Sequence, residues 1–222
     1  MNIIYYLKEQ INELSKKLNE SNFESGMLWM NSNSRCIENA IKFFTIAANN
    51  GCGKSQFQLG SIYMKGDGIK KNYPKAYEWF LKAANNGNLS AQFNLGCIYY
   101  NGLGVTIDYF ESIKWYKMAA DQGYVNAQHN VGSMYALGYG VNQNFSEAFN
   151  WYRKAAYQGL VRSQLIIGKM YEIGRGVSQD YSEANKWYQM AADQGHNMAK
   201  NNLKRLIDND YIVNKVRKRI KI

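Results

Sequence analysis

The chain has 222 residues, 46% of them hydrophobic and 14% aromatic, which is enough apolar surface to bury a core and excludes a disordered tail. A single Pro, Pro74, and the lack of alternating Val/Ile/Thr runs exclude a β-sandwich or barrel, whose many short strands need turn residues between them. The net charge of +10 is uneven: residues 200–222 hold +6, residues 36–199 hold +4 and residues 1–35 none, so a charge-driven function belongs to the end of the chain.

The first residues, MNIIYYLKEQ, place only a five-residue apolar run before Lys8 and Glu9, too short for the core of a signal peptide. No later stretch approaches the roughly 20 apolar residues of a membrane span. Cys36, Cys52 and Cys97 form neither a disulfide framework nor a metal-binding Cys-x-x-Cys pair. A cytoplasmic protein is expected, in its own cell or in a host cell. Ile4, Leu7, Ile11, Leu14 and Leu18 are spaced 3, 4, 3 and 4 apart, which predicts a helix that caps the fold or pairs with a partner.

From there on a period of 36 residues governs the chain. Gly60 recurs as Gly96, Gly132 and Gly168, each after an apolar residue; Tyr63 recurs as Tyr99, Tyr135 and Tyr171. The pairs Gly66/Gly68, Gly102/Gly104, Gly138/Gly140 and Gly174/Gly176 follow, then Trp79, Trp115, Trp151 and Trp187, then the Ala pairs that begin at Ala83, Ala119, Ala155 and Ala191. Self-similarity of this length marks a repeat architecture.

Each unit carries two helical patterns. Ser55, Leu59, Ile62 and Tyr63 lie on one face of a first helix, helix A, which Gly66 ends. Asn72, Asp108, Asn144 and Asp180 suit N-caps of a second, helix B, and Glu111, Glu147 and Glu183 complete a capping-box pattern after the last three. Ala76, Trp79, Phe80, Ala83 and Ala84 form its inner face, with Tyr63 and Trp79 expected to fill the space that Gly60 and Ala83 leave. A hairpin of this kind cannot bury its stripe alone and stacks on its neighbours.

The boundaries predicted are an N-terminal helix and degenerate first repeat over 1–50, four full repeats over 51–86, 87–122, 123–158 and 159–194, and a capping helix with basic tail over 195–222. In the degenerate repeat ENAIKFFTIAANNG is helix B, with Phe43 and Phe44 in place of Trp and Tyr, and its helix A falls near 19–30 with Glu24 in the slot of Gly60. Residues 198–207 read as a last helix A, with Lys204 in that slot.

The segments LGCIYYNGLGV, VGSMYALGYGV, AFNWYRKAAYQG and ANKWYQMAADQG resemble the Sel-1-like repeat family, relatives of tetratricopeptide repeats. The resemblance implies an all-α, right-handed α-solenoid of stacked αα-hairpins, with helix A residues presented on a concave side. It also implies a non-enzymatic adaptor or scaffold without cofactor. A subset of the family that binds or hydrolyses β-lactams carries a regular Cys pair in each repeat, and this sequence lacks that pattern.

The chemistry-bearing residues favour a binding protein over an enzyme. The Gly-x-Gly loops follow helices and lack the Lys-Ser/Thr of a phosphate-binding loop, so they read as caps and turns. Asp121-Gln122 and Asp193-Gln194 sit at helix B C-termini, where the dipole disfavours a carboxylate, and read as a solvated exit turn. His129 and His196 occupy non-equivalent positions; no metal site and no catalytic residue are assigned, and His129 reads as a variable surface position. Helix A also carries slots offset from the core stripe, where the repeats differ: Phe57, Phe93, His129 and Leu165; then Ser61, Cys97, Ser133 and Lys169; then Met64, Tyr100, Ala136 and Glu172. Framework positions repeat because stacking demands it, so the varied slots are the candidate face for a protein or peptide partner, with Phe57, Met64, Phe93 and Tyr100 as apolar anchors. Packing between repeats is the competing explanation for the Phe pair. The recurring Gln56, Gln92, Gln128 and Gln164 are expected to hydrogen-bond between units. In the tail, Lys215, Arg217, Lys218, Arg219 and Lys221 alternate with Ile212, Val216 and Ile220, which suits a capping helix, an anionic membrane contact or a nucleic-acid contact.

Overall fold

The computed structural model of the chain describes residues 3–31 and 37–208. These form eleven helices: α1 (Ile3–Asn31), α2 (Ile37–Asn49), α3 (Gly53–Lys65), α4 (Tyr73–Asn85), α5 (Leu89–Asn101), α6 (Tyr109–Asp121), α7 (Val125–Leu137), α8 (Phe145–Tyr157), α9 (Val161–Ile173), α10 (Tyr181–Asp193) and α11 (Asn197–Asp208). Among the described residues there is no strand. The chain divides into two units, Met1–Asp108 and Tyr109–Ile222. In the first, α1 pairs with α2 and α3 with α4, and α5 packs on α4; in the second, α7 pairs with α8 and α9 with α10, between α6 and α11.

Short backbone links set this pattern. Helix A ends at Gly66, Gly102, Gly138 or Gly174, each left-handed at φ near 70° with its N–H on the carbonyl of the residue four earlier; only Gly adopts that conformation without a Cβ penalty. The chain then returns. The N–H groups of Asn72, Asp108, Asn144 and Asp180 donate to the carbonyls of Tyr63, Tyr99, Tyr135 and Tyr171, so each repeating Tyr anchors the start of its own helix B through its backbone. Asn72, Asn144 and Asp180 cap helix B with their side chains, as their residue types predict. At the far end of helix B the first Ala of each pair accepts the N–H that opens the next helix A, as in Asn88 to Ala83, Tyr124 to Ala119, Leu160 to Ala155 and His196 to Ala191.

The packing partners differ from the expected ones. The residue after the Trp, not the Trp or Tyr63, lies over the helix A glycine. A Cβ on Gly60 would meet Phe80 at 2.6 Å, one on Gly132 would meet Tyr152 at 2.8 Å, and one on Gly168 would meet Tyr188 at 2.6 Å. Tyr63 and Trp79 are only half-buried. In the degenerate repeat the slot belongs to Gly26, where a Cβ would meet Phe44 at 2.5 Å, and Glu24 is exposed. Gly26 and Phe44 stand two residues closer in sequence than Gly60 and Phe80, so counting back by the period misplaces the slot by that amount. The last helix, α11, buries Ala199, Leu203 and Leu206, while Lys204 is exposed.

Candidate functional site

A side-chain ladder fixes the framework from which the varied slots project. The amides of Gln56, Gln92, Gln128 and Gln164 donate to the carbonyls of Ala48, Ala84, Ala120 and Ala156, the second Ala of the preceding helix B, at 3.0–3.3 Å. Their oxygens accept in turn: from Asn86 to Gln56 at 2.9 Å, from Gln158 to Gln128 at 2.8 Å and from Gln194 to Gln164 at 2.8 Å. The Gln beside Asp193 is therefore a rung between repeats and not simply a solvated turn residue. Buried amides need such partners, because an unmade bond leaves a desolvated polar group.

In the first slot, packing within the unit claims part of Phe57, His129 and Leu165. Phe57 sits with its ring 5.7 Å from Phe80, the ring that covers Gly60. His129 sits 5.3 Å from Tyr152 in the same relation, and Leu165 joins the cluster around Tyr188. His129 is thus no free surface residue. Its Nδ1 lies 2.8 Å from the hydroxyl of Ser163 on the next helix A, and burial, then the charge of Arg162, lowers its pKa to about 4, so the ring is neutral at physiological pH.

The other slots diverge according to the aromatic that covers the glycine. Tyr152 donates its hydroxyl to Ser133 at 3.0 Å. Tyr188 donates to Glu172 at 2.6 Å, and Glu172 also accepts from Arg205 of α11 at 2.7 Å and from Lys169 at 3.3 Å. Glu172 is only 7% exposed. Burial alone pushes its carboxyl up, but the bonds from Tyr188 and Arg205 and the charges of Lys169 and Arg205 outweigh it and hold the pKa below its ordinary value. A buried carboxylate with three donors is a structural network that ties α9 and α10 to α11, not an open contact. Over Gly26 and Gly60 the covering residues are Phe44 and Phe80, which have no hydroxyl to offer. The slots of the first unit hold Phe57 and Met64 on α3, and Phe93, Cys97 and Tyr100 on α5, all half-buried. The change from WF at 79–80 to WY at 115–116, 151–152 and 187–188 is the sequence signal for whether the second aromatic carries a hydroxyl.

Among the described residues no three His, Cys, Asp or Glu side chains come together as metal ligands, and no helix is long and apolar enough to cross a membrane. Lys215, Arg217, Lys218, Arg219 and Lys221 lie outside the described residues.

The Sel1 repeat model matches residues 37–52, 53–88, 89–124, 125–160 and 161–196. The chain belongs to the Sel1 repeat family. The family's register opens each repeat at helix A and includes the degenerate helix B as a half-unit. A search of curated proteins finds no match. Among solved structures, the chain is similar to c5321, a protective antigen of uropathogenic Escherichia coli with this fold, at 33% identity and a TM-score of 0.85 over 87% of the chain. It spans 42% of that protein's length. It is also similar to a Sel1 repeat protein from Oxalobacter formigenes, at 30% identity and a TM-score of 0.75, over 85% of this chain and 76% of that one. Sel1 repeat proteins generally serve as scaffolds for protein interactions.

Proposed function

We propose that the chain is a non-enzymatic adaptor that takes a protein segment on the concave, varied face of helix A, through the slots of its first unit. The observation that carries this is the division between framework and slots. The Gln ladder, the covering aromatic and the Ala carbonyls recur and are satisfied inside the fold, whereas Met64, Phe93 and Tyr100 vary between repeats and leave apolar side-chain surface half-exposed. In the second unit His129, Leu165, Lys169 and Glu172 also make contacts within the protein. Apolar anchors on one helical face suit an amphipathic helix or an extended peptide with bulky side chains. Cys52 and Cys97 are not joined in a disulfide, which suits a reducing compartment and a cytoplasmic scaffold.

The test is paired capture with the wild type and a Phe93→Ala/Tyr100→Ala variant, alongside their melting curves. The expected result is loss of a specific partner from the variant with melting nearly unchanged. Retention of every partner, or collapse of the fold, overturns the assignment of this face.

A further inference from the structure

The N-terminal half of α1 carries an apolar stripe that the repeats do not use. Leu7, Ile11, Leu14 and Leu18 are 52%, 61%, 63% and 56% exposed. The C-terminal half of the same helix packs on α2 through Phe23, Gly26, Met27 and Met30. At 100° per residue the two faces are about 140° apart around the helix axis, so the stripe does not continue the core face. The core side of the first half is polar: Asn12, Lys16 and Asn19 line an open cleft with Cys52 and Lys54, and Asn19 donates to the carbonyl of Asn50 at 3.4 Å. The stripe therefore plays no part in capping the repeats.

We infer that this stripe is the seam of a parallel, two-stranded coiled coil with a second copy of the chain. Three features select that occupant. The stripe is only two positions wide per heptad, which fits another helix of the same period; packing on a globular surface needs a third apolar position per heptad. Ile4 and Ile11 stand at heptad a positions in the sequence, Leu7 and Leu14 at d, and Leu18 at the last a; β-branched residues at a, as in the first two heptads, with Leu at d favour two parallel strands. The flanking positions are compatible with self-pairing, since across the seam Gln10 meets Ser15 of the second copy and Lys17 meets its Asn22, with no like charges opposed. Lys17 is moreover paired with Glu13 of its own helix at 2.9 Å.

Docking of α1 on α2 makes so short a seam workable. Two heptads seldom hold a helix by themselves, because nucleation is unfavourable. Here Phe23, Met27 and Met30 hold the following turns in the helix, and the seam only has to extend a helix already begun. The body of the first unit lies on the other side of α1, clear of the second copy.

Sedimentation of the full chain over a dilution series, up to its solubility limit, tests the inference. The wild type is expected to pass from 25.5 kDa to twice that mass, while Ile11→Glu/Leu14→Glu stays at the lower mass with unchanged helicity and melting. Orientation is read with Leu14→Cys in a background without Cys36, Cys52 and Cys97. Oxidation should join Leu14→Cys chains and leave a Lys16→Cys control, at heptad position f, unjoined. A wild type that stays monomeric throughout, whether its stripe faces water or is covered by residues 209–222, overturns the inference. So does a dimer that survives Ile11→Glu/Leu14→Glu, and a cross-link that fails for Leu14→Cys shows that the copies do not pair in parallel.

Discussion

Tyr188 lies over Gly168 with its ring and donates its hydroxyl to Glu172, whereas Phe80 lies over Gly60 and has no hydroxyl. The backbone approach is the same in both, so the glycine is fixed by the ring and not by the hydrogen bond. Gly168→Ala is expected to destabilise the chain by about 1–3 kcal/mol, the usual penalty for overpacking a filled core, read as a lower denaturation midpoint. Histidine chemistry gives a second expectation. Burial, then the charge of Arg162, lowers the His129 pKa from 6.5 to about 4, so the unfolded chain takes up the proton first on acidification. Stability from this group is full above about pH 6.5 and falls as the pH drops towards about 4. The loss is on the order of 1–2 kcal/mol after allowance for the exposed part of the ring. His129→Gln should flatten the pH dependence of unfolding in that window, while an unchanged slope would remove the histidine from the account. Glu172 acts lower on the scale: its depressed pKa makes its contribution complete above the ordinary carboxyl range and lost as pH falls through the folded value.

At the level of helices, the Gln ladder is what joins one hairpin to the next. Gln164 serves both an Ala156 carbonyl and a Gln194 amide, so Gln164→Leu removes two hydrogen bonds that link its repeat to its neighbours. A loss of about 1–3 kcal/mol is expected, with faster amide exchange in α9 and α10 than elsewhere; a neutral effect would mean that water replaces the rung. Much of this level was legible beforehand. The 36-residue period, the glycine caps, the Asn and Asp caps and the recurrence of Gln all follow from local chemistry that repeats in the sequence. What was not legible depends on which side chain crosses from helix to helix. Trp79 and Phe80 are adjacent, and apolar pattern alone does not say which one meets Gly60. Gly26 escaped the period because the first hairpin is shorter by two residues. Glu172 looked like an outer, varied residue because its partners, Tyr188 and Arg205, are 16 and 33 residues away.

Across the whole molecule, stability in a repeat protein is close to a sum of unit and nearest-neighbour terms, and the two ends of the chain meet that condition differently. At the start, α1 closes the first hairpin with Phe23, Met27 and Met30. At the other, α11 closes the last with Leu203 and Leu206 and with the ion pair from Arg205 to Glu172. The candidate face was legible only as a set of positions where repeats differ; the bonds that His129, Lys169 and Glu172 make within the second unit were invisible in the sequence. The central claim is that the slots of α3 and α5 meet a partner, and site-specific photo-cross-linking tests it most directly. A benzophenone side chain at Met64 or at Phe93 should form an adduct with one and the same protein, and the same group at exposed Glu78 on α4 should not. Adducts of equal yield at all three positions, or at Glu78 alone, would contradict the account.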